Sequence, residues 1–414
     1  MLQIDHVYEF LYQELFKDFD LYHSKNGVIH PTDDPLHNIH IFTPGHNTTK
    51  KIYFYDQEPL LDSISDRYFD IFNFPSGYNI NDLLLMNNTN SLPYGFPVIP
   101  QNLVDHYINQ QNSLYKKKII VSSEISLLFN YYAEKYGTSK LYYFFHGFAA
   151  LDWYRGYHAL NYSKQPIRDY KYDYVSYNRI INTDRSYRIY FVSKLAELKL
   201  LSKGQVSFNV TDNVFDDWRD EVSNTNTKLS ERTRQHAERY LTGIDKLVID
   251  SAELPGSASA DIPRGIDALW HIVTETVFYY DKLHLTEKIF KPIVSKQPFM
   301  LLAAPGNLEY LRSYGFKTFD GIIDESYDLI KDNDQRVDAV VKQLSWYCSL
   351  TQEEKQQVIE RLAPIVEYNF HHFYGEFRHI ITRELLDNCK TLFKEIGYDD
   401  KTIAYENIYH VLTA

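Results

Sequence analysis

HIVTETVFYYDKLHLTEKIFKPIVSKQPFMLLAAPGN, residues 271–307, is the stretch on which the reading of this chain turns. An apolar strand, Ala268–Val273, runs into Glu275. A loop follows, and Thr286 stands where an N-cap belongs, ahead of a helix predicted over Thr286–Ser295 with Glu287 and Lys288 in its first turn. Ser-Lys-Gln-Pro then leads to a second apolar strand, Pro298–Ala303. Ala-Pro-Gly-Asn makes a tight turn leading into Leu308–Tyr314. Short, wholly apolar strands joined through helices are the pattern of a parallel sheet covered on both faces.

The same alternation extends upstream. Strands are predicted at Tyr172–Tyr177, Val206–Val210 and Lys246–Asp250, with helices at Asp184–Leu201 and Leu229–Leu241. The expectation is a Rossmann-like domain, in which ligands bind beyond the carboxyl ends of the strands. From Ser326 onward the pattern is almost wholly helical. Ahead of it, Asn161–Lys171 interrupts an aromatic run with Ser, Pro and charges. The first ~165 residues hold short strands at His37–Thr43, Lys51–Asp56, Phe69–Phe74 and Lys118–Ser122, and a helix at Ser126–Tyr136. Ser76–Gln101, rich in Asn, Gly and Pro, reads as loop. Three segments are therefore expected: 1–168, an N-terminal acceptor domain; 169–345, a nucleotide-binding Rossmann-like domain; and 346–414, C-terminal helices.

Charge is unevenly distributed. The 414 residues carry a formal charge of −12, but residues 1–112 hold −9, residues 113–205 hold +8 and the remainder −11. Bulk acidity argues against a protein that coats nucleic acid or an anionic membrane by electrostatics alone. A basic block between two acidic ones points instead to a bound anion. Cys348 and Cys389 are the only cysteines, so no disulfide framework or cysteine zinc site is expected. Met1–Asp20 is charged throughout and no apolar run of ~18 residues follows, so the expectation is a cytoplasmic protein without a membrane partner.

In the 271–307 block the chemistry points to a nucleotide. An acidic residue at a helix start can accept both ribose hydroxyls, while a neighbouring lysine and the helix amides hold a diphosphate. Asp18-Phe-Asp20 and Asp332-Asn-Asp334 end no apolar strand and read as surface charge. The histidines form no metal constellation; His371-His372 are adjacent and cannot share a helix face. No H-E-x-x-H, G-x-x-x-x-G-K-[ST] or G-x-S-x-G occurs.

On these residues the block resembles the nucleotide-binding motif of GT-B glycosyltransferases, most closely the α-1,3-fucosyltransferase family, and is similar to phage-encoded enzymes of that group. The family has an acidic turn ending a strand, matched here by Thr274-Glu275-Thr276, with Thr276 in place of the family's asparagine. Its Thr-Glu-Lys helix start is matched by Leu285-Thr286-Glu287-Lys288, and its following strand and turn by Phe299–Leu302 and Ala304-Pro305-Gly306. Its arginine at a helix start is matched by Asn178-Arg179 and by Arg185-Ser-Tyr-Arg188, with Arg188 the better match by spacing to Phe191 and Leu195; Lys171, Arg179 and Arg185 are alternative cations for the leaving group. The resemblance, over about residues 172–320, implies two Rossmann-like domains facing a cleft, with Glu275, Thr286, Glu287, Lys288, Arg188, Arg185 and Arg179 binding a UDP- or GDP-type sugar. It implies metal-independent chemistry with no further cofactor, fixed cations stabilising the leaving phosphate.

A catalytic base is expected from the first domain. KIYFYDQEPL places Asp56 and Glu58 where an aromatic strand emerges, and partial desolvation would raise a carboxylate's pKa toward general-base use. His146, in an aromatic run before Gly147, ranks next, and Glu124 last. The expected acceptor is 5-hydroxymethylcytosine in DNA, with Lys116, Lys117 and Lys118 tracking phosphates and the Trp153–Tyr162 aromatics stacking on an extruded base. Two alternatives stand beside it: a cell-surface glycan as acceptor, and a non-catalytic nucleic-acid- or nucleotide-binding accessory protein.

Overall fold

The computed structural model describes residues 14–17, 19–21, 39–44, 52–55, 118–123, 125–126, 139–145, 147, 150–151, 154, 170–178, 180–181, 183–208, 217–225, 227–244, 247, 267–279, 282–398, 401 and 403–413. It is an α/β protein that divides into two compact units, 1–146 with 381–414, and 147–380. The boundaries expected at 168/169 and 345/346 both fall inside the second unit. The strand at Phe69–Phe74 lies outside the described residues, as do all but Leu247 of that at Lys246–Asp250 and all but Ser126 of the helix at Ser126–Tyr136.

The first unit contains β1 (Phe19–Leu21), β2 (Ile39–Pro44), β3 (Ile52–Tyr55), β4 (Lys118–Ser122), β5 (Ile125–Ser126) and β6 (Ser139–Tyr143). Five of these form a sheet in the order β1-β2-β3-β4-β6. β1, β2 and β3 pair antiparallel, whereas β3, β4 and β6 are parallel. Ser126, expected to open a helix, closes β5. The returning chain joins this unit: Phe393 packs edge-on to Phe16 at 5.6 Å, Asn388 donates to the Tyr143 carbonyl and the Tyr142 hydroxyl donates to Glu395.

The second unit is built on β7 (Tyr172–Asn178), β8 (Gly204–Phe208), β9 (Ala268–Thr274) and β11 (Phe299–Leu302), all parallel in the order β11-β9-β7-β8; the short β10 (Lys282–Leu283) lies outside this sheet. The sheet is compatible with a Rossmann-like fold. β9 is buried at every position, as expected of a strand covered on both faces. Trp270 meets Phe319 and Tyr347 on one face, while His271, on the other, meets Tyr177.

The helices are α1 (Tyr187–Glu197), α2 (Trp218–Ser223), α3 (Glu231–Leu241), α4 (Glu287–Val294), α5 (Asn307–Ser313), α6 (Asn333–Ser349), α7 (Gln352–His372), α8 (Arg378–Ile396) and α9 (Tyr405–Thr413). Side-chain caps explain where several begin. Ser230 accepts from Thr233 N–H, Asp332 from Gln335 N–H, and Thr351 with Glu354 completes a capping box. Asp332-Asn-Asp334 is thus more than surface charge, because Asp334 also accepts from the Ser230 and Thr233 hydroxyls and fastens α3 to α6.

Of the expected elements, one helix is trimmed and one strand is displaced. The helix over Asp184–Leu201 is instead a 3-10 turn at Thr183–Arg185, then α1, then a 3-10 turn at Leu201–Lys203. Lys199 adopts φ +57°, and Leu200 N–H bonds back to the Leu195 carbonyl at 2.8 Å, closing the helix without a glycine. β8 runs Gly204–Phe208 rather than Val206–Val210, and its first position is a glycine against Tyr174, where a Cβ would lie 2.3 Å from the phenol ring.

The placement of α6 and α7 explains why the second unit extends to 380. α6 packs on α1 and β11, and α7 on α4. Lys355 of α7 pairs with Asp173 of β7 at 2.5 Å, both side chains almost wholly buried. Beside them the Tyr170 and Tyr347 hydroxyls bond at 2.6 Å.

Candidate functional site

β8 lies on one side of β7 and β9 on the other, so the chain reverses its direction of travel across the sheet between β7 and β9. Loops leaving such neighbours diverge and open a crevice beyond the carboxyl ends, where open parallel sheets bind ligands. Ser176 is level with Ile272, which brings Asn178 level with Thr274. Thr274 hydroxyl donates to the Tyr177 carbonyl at 3.1 Å, joining the two ends.

The loop after β9 is held from several directions. Arg188, in the first turn of α1, is only 3% exposed. Its guanidinium donates to the Ile180 carbonyl at 2.8 Å and the Thr274 carbonyl at 2.6 Å. Burial lowers its pKa, with Arg185 opposing its charge as well. Arg188, expected to face a diphosphate, here ties the two strand ends together from within. Tyr187 donates to the Glu275 carbonyl at 2.7 Å and stacks on Phe278 at 3.8 Å. Arg336 of α6, also buried, donates to the Phe278 carbonyl at 2.7 Å and lies 4.2 Å from that ring.

Glu275 is fully buried. Its carboxylate accepts the Thr286 hydroxyl at 2.6 Å, Thr286 N–H at 3.2 Å and Thr276 N–H at 3.3 Å. Burial pushes its pKa up, while Lys288 and the Thr286 hydrogen bonds pull it down. Three of its acceptor positions are thus taken up within the turn, and none of the side chain is exposed. Its position makes it the anchor that fixes Thr286, the N-cap of α4.

Lys288 is the member of the Glu287–Lys288 pair that stays open to solvent, with the buried Glu287 beside it. Thr286 Oγ1 accepts from Lys288 N–H at 3.4 Å and Lys288 Nζ at 3.2 Å. The same ammonium donates to Thr276 Oγ1 at 3.2 Å and Glu287 Oε1 at 3.0 Å. Its side chain nevertheless stays 29% exposed, against 9% for Glu287. The Glu287 carbonyl accepts from the buried Tyr154 hydroxyl at 3.3 Å. The arrangement sets a carboxylate, able to accept hydroxyl hydrogen bonds, beside a fixed cation at a helix N-terminus, a pairing that suits a ribose and a phosphate.

Of the remaining expected site residues, Arg185 is half-buried in the 3-10 turn ahead of α1. Arg179 lies outside the described residues. Lys171 precedes β7 and so stands at the amino edge of the sheet, away from the crevice. Asp56, Glu58, Glu124, His146, Lys116, Lys117 and the aromatic segment 155–162 also lie outside the described residues. Lys118 opens β4, at the amino end of that parallel strand. β3, β4 and β6 end together at Tyr55, Ser122 and Tyr143.

Three contributors had no clear sequence signal. Tyr187 and Arg336 read simply as helix residues. Asn307, following Pro-Gly at the start of α5, reads as a turn residue, yet it is fully buried and reaches the 282–284 segment. Among the described residues no group of three His, Cys, Asp or Glu side chains is arranged to hold a metal ion, and no helix is long and apolar enough to cross a membrane. Compared with protein-family models, with curated proteins and with solved structures, the chain matches none.

Proposed function

We propose that this chain is a nucleotide-sugar-dependent glycosyltransferase, its second unit binding a UDP- or GDP-type sugar beyond the carboxyl ends of β7 and β9. One observation carries the reading: the reversal of strand order coincides with the turn that presents Glu287 and Lys288, the latter three-fold hydrogen-bonded yet accessible. Glu287 accepts the ribose hydroxyls and Lys288 faces the diphosphate. Glu275, Thr286 and Arg188 hold that turn in place.

In the reaction the bond from the sugar's anomeric carbon to the phosphate oxygen breaks, the diphosphate leaving with the electron pair. The acceptor hydroxyl oxygen forms the new bond and gives up its proton to a base. Lys288 and the α4 amides stabilise charge growing on the leaving group, the usual source of rate in such transfers. Asp56 and Glu58, the first acids after β3, and His146, after β6, are the proposed bases on sequence grounds. The favoured acceptor is 5-hydroxymethylcytosine in DNA, for which the basic block 113–205 is the support; a cell-surface glycan is the alternative.

The test is incubation with a panel of UDP- and GDP-sugars and hydroxymethylated duplex, read by mass spectrometry of the DNA. A gain of one glycosyl mass per modified base supports the acceptor. No gain with any donor removes DNA as acceptor. Donor hydrolysis in the same reactions would keep the transferase reading. Tight DNA binding with no nucleotide-sugar binding or turnover would favour the accessory protein instead.

A further inference from the structure

We propose that Asn307 is a positioning residue: its carboxamide sets the course of the 282–286 segment, and with it the direction in which Glu287 and Lys288 leave the first turn of α4. The inference rests on the reading of that turn as the donor site.

Asn307 is the first residue of α5 and is fully buried. Nδ2 donates to the Ala304 carbonyl at 2.8 Å, within its own turn, and to the Lys282 carbonyl at 3.0 Å. Oδ1 accepts from His284 N–H at 2.9 Å. Local capping of the turn after β11 would need only the first of these bonds. The other two grip both sides of Leu283 and end two residues short of Thr286. A buried amide in which both donors and the acceptor are engaged is a rigid spacer, because each lost bond leaves a main-chain group without its partner.

The base of the spacer is itself fixed. Gly306, at φ +86°, places its N–H on the Asp328 carbonyl at 2.8 Å, and Leu308 N–H bonds Asp328 Oδ2 at 3.0 Å. The far end of the segment is fixed by Glu275 on Thr286 and by Tyr154 on the Glu287 carbonyl. Asn307 thus supplies the hold from the β11 side. A site whose cation must meet a diphosphate to within a fraction of an ångström depends on such supports.

The test uses the full chain as Asn307→Asp and Asn307→Ala. Asn307→Asp keeps an acceptor for His284, loses both donors, and places carboxylate oxygens against two carbonyls. Asn307→Ala loses all three bonds. Amide hydrogen exchange without ligand is read for the peptides covering 282–288 and 268–274. The expected result is exchange about tenfold faster at 282–288 in both variants, with 268–274 unchanged. Affinity for UDP or GDP should fall about tenfold in parallel. Wild-type exchange at 282–288 would overturn the proposal. An equal rise in 268–274 would do so too, since it reports general loosening. If the wild type binds neither UDP nor GDP, the donor-site reading fails by itself; the exchange comparison still decides whether Asn307 positions the segment.

Discussion

Replacing Asp328 by Asn should make the protein's pH dependence change in a calculable way. Asp328 lies under the start of α5, 5% exposed, accepting from Leu308 N–H at 3.0 Å. Burial raises its pKa from an ordinary 3.8 to about 6, despite the opposing pull of the Leu308, Glu309 and Asn307 amides and of Arg312. Glu325 and Tyr327 of the same turn, which act on one another and on Asp328's surroundings, are buried and pushed up as well. Because the folded state holds this proton more tightly than the unfolded chain, the group's contribution is most favourable below pH 4. It is lost as pH rises through about 6. At full ionisation the cost is about 3 kcal/mol, of which about 2 kcal/mol develops between pH 4.5 and 7.5. Asparagine has no such term. Urea unfolding of both proteins at pH 4.5, 5.5, 6.5 and 7.5 measures the difference directly, since all other titrations are common to the pair. The variant's stability relative to wild type should rise by about 2 kcal/mol from the lowest pH to the highest. A difference constant with pH, or one growing toward acid, would refute the assignment of burial as the dominant influence on Asp328.

Other consequences are as direct. Lys355→Met should destabilise by about 3–5 kcal/mol by leaving Asp173 buried without its partner, and Asp173→Leu added to it should recover much of that loss; urea titration of single and double variants reads both. Gly315→Ala should cost more than about 1 kcal/mol, measured as a fall in Tm, because the residue sits at φ +90° and a Cβ would lie 2.7 Å from His372 Nε2. Lys288→Ala should lower turnover about 10²–10³-fold. Arg188→Ala should instead lower the unfolding free energy, since its guanidinium joins the Ile180 and Thr274 carbonyls; an unchanged Tm would restore a direct role for it.

Much of the second unit was legible because its signals are local. Apolar runs at 268–273 and 298–303 announce buried strands, and Thr286 ahead of Glu287 announces a capped helix; each appears within one or two residues of its predicted limits. What escaped depends on distant partners. Nothing in GQVSF reveals that Tyr174, thirty residues earlier, needs the space at Gly204. Asn161–Lys171 looks like a domain boundary, but the unit's limits follow contacts such as Lys355–Asp173 and Trp270–Tyr347, which no composition shift records. The site divides the same way. A Thr-Glu-Lys turn is visible in one dimension, whereas the inward direction of Arg188 and the occupied oxygens of Glu275 are not. Both residues keep their place at the crevice but act as supports for Glu287 and Lys288.

A nucleoside diphosphate is proposed to bind through that turn. Isothermal titration of UDP and of GDP into wild type and Lys288→Ala tests it most directly. Saturable binding of one of the two to wild type is expected, weakened at least about tenfold in the variant. Binding of equal strength to both proteins, or no binding of either nucleotide, would contradict it.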